Sequence, residues 1–153
     1  MNTLKVGDKA PSFALEDQNG NLVKSEDYNS KPYILFFYPK ASTPGCTAEA
    51  CSLRDGSEDL QKMGYQIIGV SADTVKRQSN FATKQRLNYP LLSDEDKVLI
   101  QAYGVWGLKK FMGKEYDGIH RKTFVIGANG LISNVIDKVK TKTHFEQLVE
   151  LLK

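Results

Sequence analysis

The sequence predicts an α/β fold, a central mixed sheet flanked by helices, with an N-terminal β-hairpin ahead of it. Three observations carry this prediction. Strand-like and helix-like segments alternate through the middle of the chain, which calls for parallel strands joined by crossover helices. The run Pro32 to Tyr38 is apolar and aromatic without alternation, the pattern of a strand buried on both faces. Near the end, Ala128-Asn129-Gly130 stands between two strand-like runs, so an antiparallel pair closes the sheet.

In chain order, Phe13 to Leu15 and Leu22-Val23 flank Gln18-Asn19-Gly20 and predict the first hairpin. Pro32 to Tyr38 follows as a strand. Thr43 to Met63 reads as a helix, with Thr43 as N-cap, Pro44 at the first helical position and Gly64 as the stop. Tyr65 to Ser71 is a second buried strand, and Asp73 is placed to cap a helix that runs to about Arg86. Tyr89 to Leu92 is a short strand and Asp94 to Ala102 a short helix. Lys122 to Ile126 and Leu131 to Asp137 form the closing hairpin, and Lys138 to Lys142 reads as an exposed strand end. Thr143-x-x-Glu146 has the form of a capping box, with Phe145, Leu148, Val149 and Leu152 on one face of the helix it opens. His144 lies inside that box and is expected to face solvent.

The chain has 153 residues, 41% hydrophobic and 25% charged, with a net charge of +3. This composition predicts a single domain over residues 1–153. It excludes a disordered tail or a disulfide-dense secreted scaffold. A mild charge does not argue for nucleic acid or an anionic membrane as partner. Lys109, Lys110 and Lys114 lie among Trp106, Phe111 and Met112, and this segment is expected to be a solvated loop partly covering the site. No apolar run approaches membrane-span length, and the first residues show no secretory pattern. The cytoplasm is therefore the expected location, where thiols stay reduced.

The two cysteines, Cys46 and Cys51, then need a role other than a structural staple. With Thr43 as N-cap, Cys46 falls at the third helical position. The first-turn N–H groups there lack intrahelical partners, and the helix dipole adds partial positive charge. Both favour thiolate over thiol. Cys51 is five residues on, which on an ideal helix separates the Cα atoms by about 8.6 Å. A disulfide needs about 7 Å or less, so the pair cannot bridge while the helix is intact. A metal site is the other reading of paired cysteines. The spacing lies at the edge of the zinc range, no second pair exists, and only His120 and His144 could add nitrogens. No metal and no other cofactor are expected.

Pro39-x-x-x-Thr43-x-x-Cys46 resembles the active-site pattern of peroxiredoxins. Gly45-Cys46-Thr47-x-Glu49-Ala50-Cys51 with Leu53-Arg54-Asp55 is similar to the peroxiredoxin Q / bacterioferritin comigratory protein subfamily. So are Gly69-Val70-Ser71-x-Asp73, Leu91-Leu92-Ser93-Asp94, Tyr103-Gly104-Val105 and Gly118-Ile119-x-Arg121-x-Thr123-Phe124. Ala41-Ser42 departs from the polar or acidic residue many relatives carry before the threonine. The resemblance implies a thioredoxin-like fold and thiol-dependent reduction of hydrogen peroxide and organic hydroperoxides. It implies Cys46 as the peroxidatic cysteine and Cys51 as the resolving one, joined by an intramolecular disulfide. Thioredoxin or a glutaredoxin-like dithiol would recycle it, in a monomer that serves antioxidant defence.

The residue types suit that chemistry. When a thiolate attacks a peroxide oxygen, negative charge moves from sulfur to the leaving oxygen, and donors fixed along this path favour the transition state. Arg121 supplies such donors and a charge that persists at working pH. The Thr43 hydroxyl can accept from a peroxide O–H, or cap the helix at the N–H of Cys46. Pro39 fixes the backbone and, by resemblance, shields Cys46 from water. The Gly45 and Cys46 N–H groups can hold substrate, and Gly45 admits close approach. Two other classes share some of these features. A peroxide sensor begins with the same sulfenic acid, whereas a thioredoxin-like disulfide oxidoreductase usually carries C-x-x-C and a proline before a later strand.

Overall fold

The computed structural model describes all residues, 1–153. Its centre is a five-stranded sheet. The strands are β3 (Tyr33–Phe37), β4 (Gln66–Ser71), β5 (Leu91–Ser93), β8 (Lys122–Ile126) and β9 (Ile132–Ile136), in the order β5-β4-β3-β8-β9. β3, β4 and β5 are mutually parallel, β8 pairs antiparallel with β3 and β9 antiparallel with β8, with Leu35 opposite both Ile68 and Phe124. The sheet is therefore mixed, as the alternation followed by an Asn-Gly hairpin predicts.

Alternation along β3 builds the two cores. Tyr33, Leu35 and Phe37 face one side, with Leu99 and Ile100 of α3 (Val98–Ala102) and Tyr103 just past its end. Ile34, Phe36 and Tyr38 face the other. There they meet Leu53 and Leu60 of α1 (Pro44–Lys62), Phe81 of α2 (Val75–Gln85) and Leu148 of α4 (His144–Leu152). All of these except Tyr33, at 5%, and Leu99, at 2%, have no exposed surface. Burying a large apolar side chain contributes about 1.5–3 kcal/mol, so β3 anchors both layers. No helix is long and apolar enough to cross a membrane.

The N-terminal hairpin is present as β1 (Ala14–Glu16) and β2 (Leu22–Lys24), with Leu15 opposite Val23. Several other expectations need correction. The segment around Lys109 is not a loop but a second hairpin, β6 (Trp106–Phe111) and β7 (Lys114–Ile119). Met112 and Gly113 turn it with φ of 50° and 79°, the left-handed pair that a two-residue hairpin needs. Residues 94–97 are not yet helical. Lys97 is left-handed, and the Asp94 carboxylate instead accepts from the N–H groups of Val98 and Ile100 at 3.1 and 2.8 Å. Thr74, not Asp73, caps α2, accepting from the Arg77 N–H at 3.2 Å.

The capping box at Thr143 does not form, and residues 141–143 are a 3-10 turn rather than part of a strand end. The chain enters α4 through that turn, so Thr143 lacks the extended backbone of a cap. The Phe145 N–H is taken by Ser52 Oγ of α1 at 3.0 Å. His144, expected in solvent, has no exposed surface.

Candidate active site

The carboxyl end of β3 delivers the chain into the loop Pro39–Thr43, which turns into α1. Asp73, just past β4, holds this loop. Its Oδ2 accepts from the Ala41 N–H and from Ser71 Oγ, each at 2.7 Å. Ser42 takes a left-handed φ of 67°, and Pro44 starts the helix.

Cys46 sits in the first turn with 1% of its surface exposed. Arg121, from the turn between β7 and β8, donates from Nη2 to Cys46 Sγ at 3.3 Å. Its Nη1 donates to Glu49 Oε1 at 2.6 Å, with the arginine side chain 21% exposed and the glutamate not at all. One guanidinium thus bridges two groups of α1, three residues apart, in the fork geometry that lysine cannot reproduce. Burial disfavours the Arg121 cation, but Cys46 and Glu49 more than offset this and move its pKa up. A Cβ on Gly45 would lie 3.2 Å from Arg121 Nη2, so glycine there leaves the arginine its place. The N–H groups of Gly45 and Cys46 have no hydrogen-bond partner in the protein and are free to bind an incoming oxygen.

Thr43 is the N-cap residue by position, but its hydroxyl does not cap Cys46. It donates to the Lys40 carbonyl at 2.7 Å. The alternative weighed from the sequence is the one left available, since the oxygen lone pairs can still accept from a ligand. Pro39 lines a cleft of about 380 Å³ with Lys40, Trp106, Lys109, Tyr116 and Ile119. Lys109 reaches back from the unexpected hairpin to the Ile119 carbonyl at 3.0 Å. Burial lowers its pKa, helped by Arg121 and opposed by Cys46.

Cys51 is not brought to Cys46. α1 is continuous through both, both thiols are free, and the half-buried Cys51 Sγ donates to Gln85 Oε1 of α2 at 3.5 Å. Behind the site lie groups to which the sequence assigned no role. His144 Nε2 is 3.5 Å from Glu49 Oε2 and 2.8 Å from Thr123 Oγ1. Burial raises the Glu49 carboxyl to about 7, against the charge and hydrogen bond of Arg121. Burial likewise lowers His144, to about 4. An acid on the apolar face of α1, in step with Cys46 and Leu53, was the sequence signal for this pocket. His120 is elsewhere, with Nε2 3.1 Å from the Leu108 carbonyl.

Comparison with known proteins sets this geometry in context. The profile of the AhpC/TSA family matches residues 6–135. Peroxiredoxin Bcp of Escherichia coli (strain K12) is 49% identical over 153 residues, covering 100% of this chain and 98% of that protein. Peroxiredoxin Bcp of Bacillus subtilis (strain 168) is 43% identical over 151 residues, covering 99% and 96%. Among solved structures, a cysteine-to-serine variant of Xylella fastidiosa PrxQ superposes with a TM-score of 0.92 at 29% identity, covering 99% and 97%. The Xanthomonas campestris bacterioferritin comigratory protein, studied for alkyl peroxide reduction, gives 0.85 at 34% identity, covering 92% and 89%. The shared architecture is the thioredoxin-like one of peroxiredoxins.

Proposed function

The chain belongs to the AhpC/TSA family, as a peroxiredoxin of the Q / bacterioferritin comigratory protein type that reduces hydroperoxides with a thiol, and from this premise we propose which residues carry the reaction and how the cycle closes. Cys46 is the nucleophile. The observation that supports it best is the Arg121 N–H held 3.3 Å from its sulfur, at a helix start whose own N–H groups are unpaired.

The Cys46 thiolate uses an electron pair to bond the terminal peroxide oxygen. The O–O bond breaks, and its electrons leave with the second oxygen as hydroxide or alkoxide, which takes up a proton. Arg121 faces both the sulfur and the oxygen path, so its donors follow the charge as it moves. The Thr43 hydroxyl accepts from the peroxide O–H, and the Gly45 and Cys46 N–H groups orient the oxygen. Pro39 closes the site toward the cleft and limits water.

Cys46 is left as a sulfenic acid. The Cys51 thiol condenses with it, water leaves, and an intramolecular disulfide forms before a second peroxide can drive the sulfur to the irreversible sulfinic state. This requires the first turns of α1 to unwind. A dithiol protein of the thioredoxin or glutaredoxin kind then reduces the disulfide. The site draws all its residues from one chain, so the reading needs no second copy. The cytoplasm is its place, since a reducing pool keeps both thiols free between turnovers. The cycle serves antioxidant defence and redox homeostasis.

Peroxide-dependent NADPH oxidation with thioredoxin and its reductase tests the assignment on the wild type, Cys46→Ser and Cys51→Ser. Cys46→Ser should consume no peroxide. Cys51→Ser should consume one equivalent and then stall. Residual turnover in the first variant removes Cys46 from its role, and unchanged turnover in the second removes Cys51.

A further inference from the structure

Cys46 and Arg121 account for the attack, but the buried groups behind them are unused by it. Glu49 Oε1 is taken by Arg121, whereas Oε2 is buried with no hydrogen-bond partner. It faces His144 Nε2 at 3.5 Å. The neighbours of that imidazole fix its state. Gln147 Nε2 donates to the Lys138 carbonyl at 3.0 Å, which leaves Gln147 Oε1 to accept from the Lys140 N–H at 2.8 Å. His144 Nδ1 lies 2.9 Å from the same Oε1 and so carries the hydrogen. Nε2 of the neutral ring is then bare, its one lone pair open to either Glu49 Oε2 at 3.5 Å or the Thr123 hydroxyl at 2.8 Å. Two acceptors, Oε2 and Nε2, confront each other in a sealed place, an arrangement that costs free energy unless a proton lies between them.

We propose that Glu49 and His144 together hold one proton in the reduced enzyme and give it up when Cys46 is oxidised, so that thiolate and carboxylate take turns as the counter-charge of Arg121. His144 and Thr123 are then positioning residues for the reaction, acting through Glu49. The inference rests on Cys46 being the nucleophile.

The charge arithmetic favours it. Arg121 stands between Cys46 Sγ at 3.3 Å and Glu49 Oε1 at 2.6 Å. One buried cation can neutralise one anion, and a second anion would be left uncompensated in low dielectric. In the reduced form the anion is the thiolate. Attack gives thiolate + ROOH + Glu49–H → sulfenic acid + ROH + Glu49 carboxylate, with one negative charge on each side. The proton that Glu49 releases offsets, through solvent, the one the alkoxide takes. The other titratable groups facing Cys46, Glu49 and Arg121 are Tyr38 just past the end of β3, which burial keeps protonated, Tyr89 ahead of β5 and Lys109 of β6. The Tyr89 hydroxyl donates to the Ala50 carbonyl, and burial keeps it protonated. Burial places the carboxyl above the imidazole in proton affinity, so the proton rests on Glu49.

Infrared difference spectroscopy of the whole protein in a Cys51→Ser background, before and after one equivalent of peroxide, tests this below neutral pH. A protonated-carboxyl band should be present in the reduced form, vanish on oxidation, and be absent throughout in Glu49→Gln. His144→Gln changes the group facing Oε2. The glutamine amide donates to a carboxylate, so His144→Gln should move the pH at which the band is lost down by about one unit, a tenfold shift. A reduced wild type with no band assignable to Glu49, or a band unmoved by oxidation, overturns the proposal. The two readings fail separately. If Cys46→Ser still consumes peroxide, the nucleophile assignment falls. If Cys46→Ser is inert and the Glu49 band stays, only the shared proton falls.

Discussion

Ala48→Gly tests whether the resolving step waits on the helix. Ala48 is half-buried in α1 between the two cysteines. An intact helix holds their Cα atoms about 8.6 Å apart, beyond the roughly 7 Å a disulfide tolerates. Bridging must therefore unwind the turns that carry Cys46, Glu49 and Ala50. That breaks the Arg121–Glu49 bond and the Tyr89 hydroxyl bond to the Ala50 carbonyl, and frees Cys51 from Gln85. The next turns stay docked, because Ser52 Oγ accepts from the Phe145 N–H and Gly56 lies under the Phe145 ring. Glycine in place of alanine weakens a helix interior by about 1 kcal/mol, and every bit of that bias falls on the segment that must open. Disulfide formation after a single equivalent of peroxide should therefore speed up by as much as about fivefold, 1 kcal/mol being about a factor of five. Stopped-flow fluorescence from Trp106 and acid-quenched mass spectrometry follow the step. The peroxide dose that converts half of Cys46 to sulfinic acid should rise in parallel. An unchanged resolving rate, with attack on peroxide also unchanged, would refute unwinding as the gate.

Arg121→Lys keeps the charge but loses one arm of the fork. A hydrogen bond to a charged group is worth about 1.5–3 kcal/mol, so the second-order constant for Cys46 with hydrogen peroxide should fall at least tenfold. A drop under twofold would show that charge alone suffices. Gly56→Ala places a Cβ 2.0 Å from Phe145 Cδ1, and the overpacking should lower stability in urea by about 1–3 kcal/mol, with partial relief on adding Phe145→Leu. Its pH dependence is a third check on the core. His144 is lowered to about 4 by burial, so its neutral form contributes stability that is present above the unfolded value near 6.5 and lost as pH falls through about 4. Glu49 is raised to about 7 and contributes in the opposite sense, present below its unfolded value and lost as pH rises through about 7. The two slopes oppose each other in the shared window. His144→Gln removes one of them and lowers Glu49 by about one unit, so its chemical stability should decline from mildly acidic to neutral pH more steeply than that of the wild type, by about 1–2 kcal/mol. Parallel curves would contradict a buried neutral imidazole.

Much of this architecture was legible before any coordinates. Pro32 to Tyr38 announced the central strand because a strand buried on both faces has no polar side. Thr43-Pro44 marked the start of α1 because proline fits only where a backbone donor is spare. The placement of Arg121 beside Gly45 and Cys46 is what the family resemblance implied. What sequence reasoning missed was set by distant contacts. The Thr43 hydroxyl turns to Lys40 because of how the loop folds on Asp73, which no local pattern records. Thr143-x-x-Glu146 reads as a capping box until Ser52, far earlier in the chain, takes the Phe145 N–H. His144 looks exposed among Thr141, Lys142 and Thr143, yet its partners are Glu49, Thr123 and Gln147. The β6–β7 hairpin hid because its strands carry five charged residues, Lys109, Lys110, Lys114, Glu115 and Asp117, and a Met-Gly turn. Only Glu49 left a local trace, as an acid on an otherwise apolar helix face.

Peptide mapping by mass spectrometry, after one equivalent of hydrogen peroxide is added to the fully reduced protein, addresses the proposed cycle most directly. The predicted product is a single intramolecular Cys46–Cys51 disulfide, with hydrogen exchange raised across the first turns of α1 and unchanged beyond Ser52. Peroxide consumption with both thiols recovered free, or a disulfide formed while those turns keep their protection, would contradict it.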